Sequence, residues 1–174
     1  MSYNPATLHC GDVLLMTRHS PLWTPAGALD AGIAVSTVNP FDHAACVVEQ
    51  DGQLVIVEAL WHVTISPIDK YALDGWAYHP AITPEQQTAL SQAALSKVGQ
   101  RYGVIQVLES FLRDDIHIDL HPVLDPRHLD CSGLVVWAFH QARYRLTYAP
   151  VPSPADLSYS PLLRGPRPWD RGSS

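Results

Sequence analysis

The chain has 174 residues, 47% of them apolar, enough to bury one core and too few for two comfortable domains. Eleven basic against seventeen acidic residues leave a net charge of −6, and only Lys70 and Lys97 are lysines. A duplex-binding groove or a polybasic membrane patch is therefore not expected, so neither nucleic acid nor an acidic surface is a natural partner.

Gly11-Asp12 opens the apolar run Val13 to Met16, a short strand bounded by turn residues. Thr24-Pro25 reads as an N-cap with proline at the first helical position, leading into an Ala-rich helix to about Val35, and Asn39-Pro40 ends it. Two β-rich runs, His43 to Gln50 and Gln53 to Leu60, flank Asp51-Gly52, the strongest short-range hairpin signal in the chain. Val63 to Ile68 extends the sheet. Thr83-Pro84-Glu85-Gln86 combines a proline start with a capping box, and Leu90, Ala93, Ala94 and Val98 share one face of the helix that follows. Gly99 stands where its C′ glycine belongs.

The stretch from Arg101 to Pro126 has no clear period. Asp130 reads as the N-cap of the clearest helix, because Cys131, Leu134, Val135, Ala138, Phe139 and Ala142 recur at helical spacing. From Pro150 onward, six prolines predict a tail that wraps the surface. The organisation expected is α+β in a single domain spanning residues 1–174, a small antiparallel sheet packed on the Cys131 helix with additional helices.

Three cysteines (Cys10, Cys46, Cys131) without a Cys-x-x-Cys pair form neither a disulfide framework nor a ribbon-type zinc site. No early basic cluster resembles a secretory leader, and no apolar run approaches the roughly 18 residues of a membrane span. A reducing, cytoplasmic compartment without stable membrane insertion is the expectation. Oligomeric state is not legible.

The chemistry centres on Cys131. At the first turn of a helix, the partial positive charge of the terminus favours a thiolate. The backbone N–H groups of Cys131 and Ser132 are there to receive a developing oxyanion. A two-residue turn at Asp51-Gly52 makes paired residue numbers sum to 103, so Ala45 faces Glu58 and His43 faces Leu60. His43, Ala45, Val47, Ile56, Glu58 and Leu60 then share one face, and Glu58 lies diagonal to His43, about 7–8 Å away at the backbone. The hairpin can thus supply a base and an orienting acid for a nucleophile–base–orienter triad. Cys46 points to the opposite face, into the core. His62 rivals His43 if the strand continues past Leu60. Substituting Glu58 by Gln keeps the shape and is expected to change packing little.

A second constellation is His117, Asp119 and His121, whose side chains project together at strand period and could hold a divalent metal. A polar strand face or a loop accounts for the same residues. The triad itself needs no Lewis acid, so no metal or other cofactor is expected.

Asp130-Cys131-Ser132-Gly133-Leu134-Val135 resembles the nucleophile motif of the NlpC-type papain-like peptidases, which cut peptide bonds in bacterial cell-wall stems. In those enzymes the strands carrying His and its polar partner follow the cysteine. Here His43-Ala44-Ala45-Cys46-Val47-Val48 and Val55-Ile56-Val57-Glu58-Ala59 precede it, an order similar to the circularly permuted YiiX/YaeF-type amidases, related to lecithin–retinol-acyltransferase-like proteins. Gly11 to Leu15, Gly99-Gln100-Arg101-Tyr102-Gly103 and Ser153 to Leu157 agree with that branch. The resemblance implies a permuted papain-like fold with Cys131 as nucleophile, His43 as base and Glu58 as orienter. It further implies that Tyr102 and Ser132 lie near the oxyanion or substrate, and that the substrate is a peptide or other small amide. Esters, thioesters and acyl transfer suit the same chemistry. A binding module that keeps the fold without turnover is the reading from another class.

Overall fold

The computed structural model describes residues 3–17, 41–72, 75–101, 129–149 and 152–165. Asp51 and Gly52 both take positive φ (51° and 77°), so their turn twists with the strands it joins. It connects β2 (Phe41–Gln50) to β3 (Gln53–Ala59) in the expected register, from Gln50 opposite Gln53 to Ala45 opposite Glu58. With β1 (Val13–Thr17), β4 (Val63–Ser66), β5 (Gly75–Pro80) and β6 (Leu163–Arg164), they form one six-stranded antiparallel sheet in the order β4-β3-β2-β1-β5-β6.

β2 is the strand the rest is built on, buried without interruption from Phe41 to Val48. A strand so placed must be apolar on both faces. On one face Ala44, Cys46 and Val48 join Val13, Leu15, Val57 and Tyr78 beneath helix residues Leu90, Ala94, Leu134, Val135, Ala138 and Phe139. On the other, Ala45, Val47 and Ile56 pack with Leu14, Met16, Tyr3, Leu8 and Tyr71. The alternation is the two-residue period of the pleat.

Among the described residues, three helices cover the first face or border it: α1 (Pro84–Leu95), α2 (Cys131–Gln141) and α3 (Pro154–Tyr159). Thr83 caps α1 through the expected capping box with Gln86. The helix stops sooner than its apolar spacing predicts. After Leu95 the N–H groups of Lys97, Val98 and Gln100 bond back three residues instead of four, which tightens the chain and leaves Val98 exposed. Gly99 (φ +86°) is therefore not the C′ residue. It sits in the turn beyond the helix, where its N–H donates to the Val63 carbonyl.

Two further expectations change. The run predicted to Ile68 ends at Ser66, where Pro67 has no N–H to give a ladder. The tail expected to wrap the surface contributes to the interior over residues 152–165. Pro154 occupies the first turn of α3, Ser153 and Asp156 form a capping box, and Leu157 is fully buried. Leu163 and Arg164 then pair with Pro80 and His79. Proline opened a helix there because its fixed φ suits the first turn. The helix predicted from Thr24-Pro25 lies outside the described residues.

A Cβ at Gly52 would meet no atom within 4 Å, so Gly52→Ala tests the backbone alone. The left-handed conformation costs a non-glycine residue roughly 1–2 kcal/mol. The expected outcome in a thermal melt is a Tm lower by about 2–8 °C with an unchanged fold by circular dichroism.

Candidate functional site

Glu58 is fully buried, and every partner of its carboxylate is a donor. Oε2 accepts from His43 Nε2 at 2.8 Å and from the Tyr71 hydroxyl at 2.6 Å. Oε1 accepts from the Ser66 hydroxyl at 2.5 Å and from Lys70 Nζ at 2.6 Å. A buried carboxylate with several charge-assisted bonds is satisfied in its ionised form. Burial works against that charge, but the hydrogen bond and charge of His43, with the bonds from Lys70 and Ser66, outweigh it and hold the carboxyl well below the usual carboxylate range.

His43 is the residue that joins the hairpin to α2. Its Nε2 faces Glu58, and the ring also makes a side-chain hydrogen bond with Cys131, which leaves Nδ1 for the sulfur. Burial pulls the imidazole down, yet the bond with Cys131 and then that with Glu58 exceed it and push His43 up to about 10. The bulge between β1 and β2 lies beside this ring. Met16 pairs with His43 and Thr17 with Phe41, so Asp42 is the extra residue and the local twist increases there.

Cys131 begins α2. Asp130 takes the N-cap with extended φ/ψ, and its carboxylate accepts from the Gly133 N–H. Burial pushes the Asp130 carboxyl up to about 6, against the opposing effect of the Gly133 N–H and the Ser132 hydroxyl. First-turn N–H groups have no acceptor within their own helix, so those of Cys131 and Ser132 suit an anion beside the sulfur. The Ser132 hydroxyl does not serve that end. It donates to the Pro152 carbonyl at 2.7 Å and, at 3.4 Å, to Asp130, fastening the helix start to the segment before α3.

The three predicted side chains Cys131, His43 and Glu58 thus meet. Their rival does not. β3 ends at Ala59, and a turn at residues 60–62 leaves His62 exposed in an isolated bridge with Arg101. Cys46 is core, its thiol pushed up to about 12, chiefly by burial. Tyr102 and the His117, Asp119 and His121 group lie outside the described residues.

Sequence reasoning missed Ser66, Lys70 and Tyr71. Ser66 had a signal, since β4 pairs Glu58 with Thr64 and puts Ser66 on the diagonal of the same face. Lys70 and Tyr71 come from the loop after β4, where no period places them. Their presence corrects the expectation that Gln at position 58 is nearly silent for packing. An amide brings donors into a ring of donors and removes the charge opposite Lys70, and an unsatisfied buried group of this kind costs about 1–3 kcal/mol.

A second polar cluster was also missed. His9, Asp12 and His79 bring one ligand-type atom each within 4.8 Å of one another. The expectation of no metal rested on the triad, and this group lies elsewhere.

No family model matches the chain, and no curated protein matches it. Among solved structures it is similar to the metalloprotein YiiX from Escherichia coli O157:H7, with a TM-score of 0.65 at 15% identity, covering 90% of this chain and 95% of that one. The fold is therefore YiiX-like. Among the described residues, no helix is long and apolar enough to cross a membrane.

An ordinary histidine loses its proton near 6.5, whereas His43 is raised to about 10, so folding binds that proton more tightly. The stability it contributes is present in full below pH 6.5 and is lost as pH rises through about 10. Nitrogen-15 chemical shifts of the ring are expected to report imidazolium at pH 8, and melting temperatures to fall between pH 8 and 10.

Proposed function

We propose that the protein is a cysteine hydrolase that cleaves an amide bond in a peptide or a small amide-containing substrate. The observation that carries this reading is the position of one imidazole, bonded through Nε2 to a buried carboxylate and, on its other side, to a thiol at a helix start. The likeness of its motifs to the permuted NlpC-type papain-like amidases supports the same assignment and makes cell-wall stem peptides the first substrates to try.

The chemistry follows from the charges. His43 takes the thiol proton as Sγ attacks, and Glu58 stabilises the imidazolium that results, so no external base is needed. Cys131 Sγ attacks the carbonyl carbon and the electron pair moves to its oxygen, which the first-turn N–H groups of α2 stabilise. Collapse breaks the C–N bond as His43 Nδ1 delivers its proton to the leaving amine. Water, deprotonated by the neutral His43, then attacks the thioester, and the thiolate leaves with the acid product. Glu58 stays ionised throughout and holds the ring with Nδ1 toward the sulfur. Acyl transfer to another acceptor would follow the same course with water replaced. The YiiX neighbour is a metalloprotein, and no step of this mechanism runs through a metal.

Alkylation rates resolved by mass spectrometry should rank Cys131 first, with buried Cys46 unreactive at neutral pH. Faster reaction at Cys10 or Cys46 would sink the assignment. A thiol-reactive amide-mimic probe should label Cys131, and His43→Ala should abolish that labelling.

Activity is expected to vanish in Cys131→Ala. It should fall roughly 10–10³-fold in Glu58→Gln, a range below the largest triad effects because a thiol gives up its proton more readily than a hydroxyl and leans less on the orienter. His62→Gln should stay within about threefold. In the wild type the alkaline limb of kcat/KM should fall near pH 10, where His43 loses its proton, and Glu58→Gln should move that limb to lower pH. Kinetics are measured well below each variant's Tm, so that lost stability is not read as lost chemistry. Wild-type turnover in Glu58→Gln together with a dead His62→Gln would refute the triad. Chelator treatment should leave turnover intact.

A further inference from the structure

We propose that His9, Asp12 and His79 form a binding site for one divalent transition-metal ion, separate from the Cys131 site. Asp12 is its fixed point. The side chain is 4% exposed, and Oδ2 accepts from the His9 backbone N–H at 2.8 Å. The Asp12 N–H donates to the His9 carbonyl, and Gly11 supplies the positive φ (+96°) that this tight turn requires. Reciprocal bonds between Gly11, Asp12 and Val47 fasten the turn to β2. The carboxylate is thus held in place by backbone before any ion arrives, which is what a preorganised ligand needs.

The two imidazoles complete the donor set. His79 Nδ1 lies 2.7 Å from Asp12 Oδ1, and His9 Nδ1 lies 3.9 Å from Asp12 Oδ2. Tetrahedral ligands about 2.0–2.1 Å from an ion are about 3.4 Å apart, so one pair must open slightly and the other close. Both histidine side chains can make that adjustment, being 74% and 46% exposed. Two imidazoles and one carboxylate are the borderline donors that zinc and its neighbours prefer over calcium or magnesium. Solvent on the histidine side leaves room for water in the remaining positions.

The cluster is not part of the proposed hydrolase site. Asp12 bonds to Val47, whereas His43 pairs with Met16, four residues further along each strand and roughly 13 Å away at ~3.3 Å per residue. Cys10, between His9 and Gly11, engages Ser91 Oγ and the Gln87 carbonyl. The set is therefore expected to bind without a thiolate.

The test is titration of metal-stripped full-length protein with zinc alone near neutral pH, followed by calorimetry and by competition with a chromophoric chelator. One equivalent should bind with micromolar or tighter affinity. His9→Ala and His79→Ala should each weaken it by at least about tenfold, the usual scale for losing part of a site, and the double variant should lose it. Cys131→Ala and the pair His117→Ala/His121→Ala should bind as wild type does. Cobalt in place of zinc should give visible ligand-field bands without thiolate charge transfer. If His79→Ala fails to fold, His9→Ala decides the matter, because that side chain is exposed. Absence of zinc binding at about 100 µM, affinity unchanged in His9→Ala, or a thiolate band with cobalt would each overturn the site. None of these outcomes bears on Cys131 turnover, so the two proposals fail separately.

Discussion

One ionised carboxylate in a dry interior organises this molecule. Glu58 has no exposed surface, so its charge requires donors from the protein itself, and four side chains supply them. They arrive from β2 (His43), the end of β4 (Ser66) and the loop beyond it (Lys70, Tyr71). Removing any one leaves a buried acceptor short of a partner or a donor stranded, which is why the cluster acts as a unit. Cys131 and, after it, the same charge hold a proton on His43, which joins the hairpin to the start of α2. Fold and site meet in that chain of bonds.

The sheet makes the arrangement possible by being apolar on both faces at its centre. β2 lies between β3 and β1, buried through eight residues, and its alternate side chains feed two separate clusters. α2 packs over the face that carries Cys46, while Glu58 belongs to the other. His43 connects them beside the bulge at Asp42, where the ladder between β1 and β2 is broken by one residue. Bulges gather at such places because a regular pleat cannot re-aim a side chain.

The two polar groups along β1 and β2 differ in a way that suits different chemistries. Glu58 is sealed, and its proton partner His43 is nearly so, conditions under which charges act strongly on one another. Asp12 is sealed as well, but its histidines face water. A closed pair favours stored proton transfer, and an open pair of imidazoles favours exchange with an ion from solution. Both proposals thus begin from a buried carboxylate and diverge on what covers its partners.

The local signals in the chain were enough for much of this. Asp51-Gly52 determined the hairpin and its register, because a turn with two positive-φ residues admits one pairing and the pleat then assigns every face. Asp130 and the apolar spacing behind it determined α2, and with it the place of Cys131 at a helix start. What lay beyond reach depends on distance in the chain. Proline spacing alone could not tell a surface tail from the buried α3, since both begin with the same residue and only packing against the core separates them. Lys70, Tyr71 and the meeting of His9 with His79 follow from which loops fold back on which strand ends. No residue carries that information by itself. The contacts form between segments up to about seventy positions apart, and they exist only once the sheet has closed the distance.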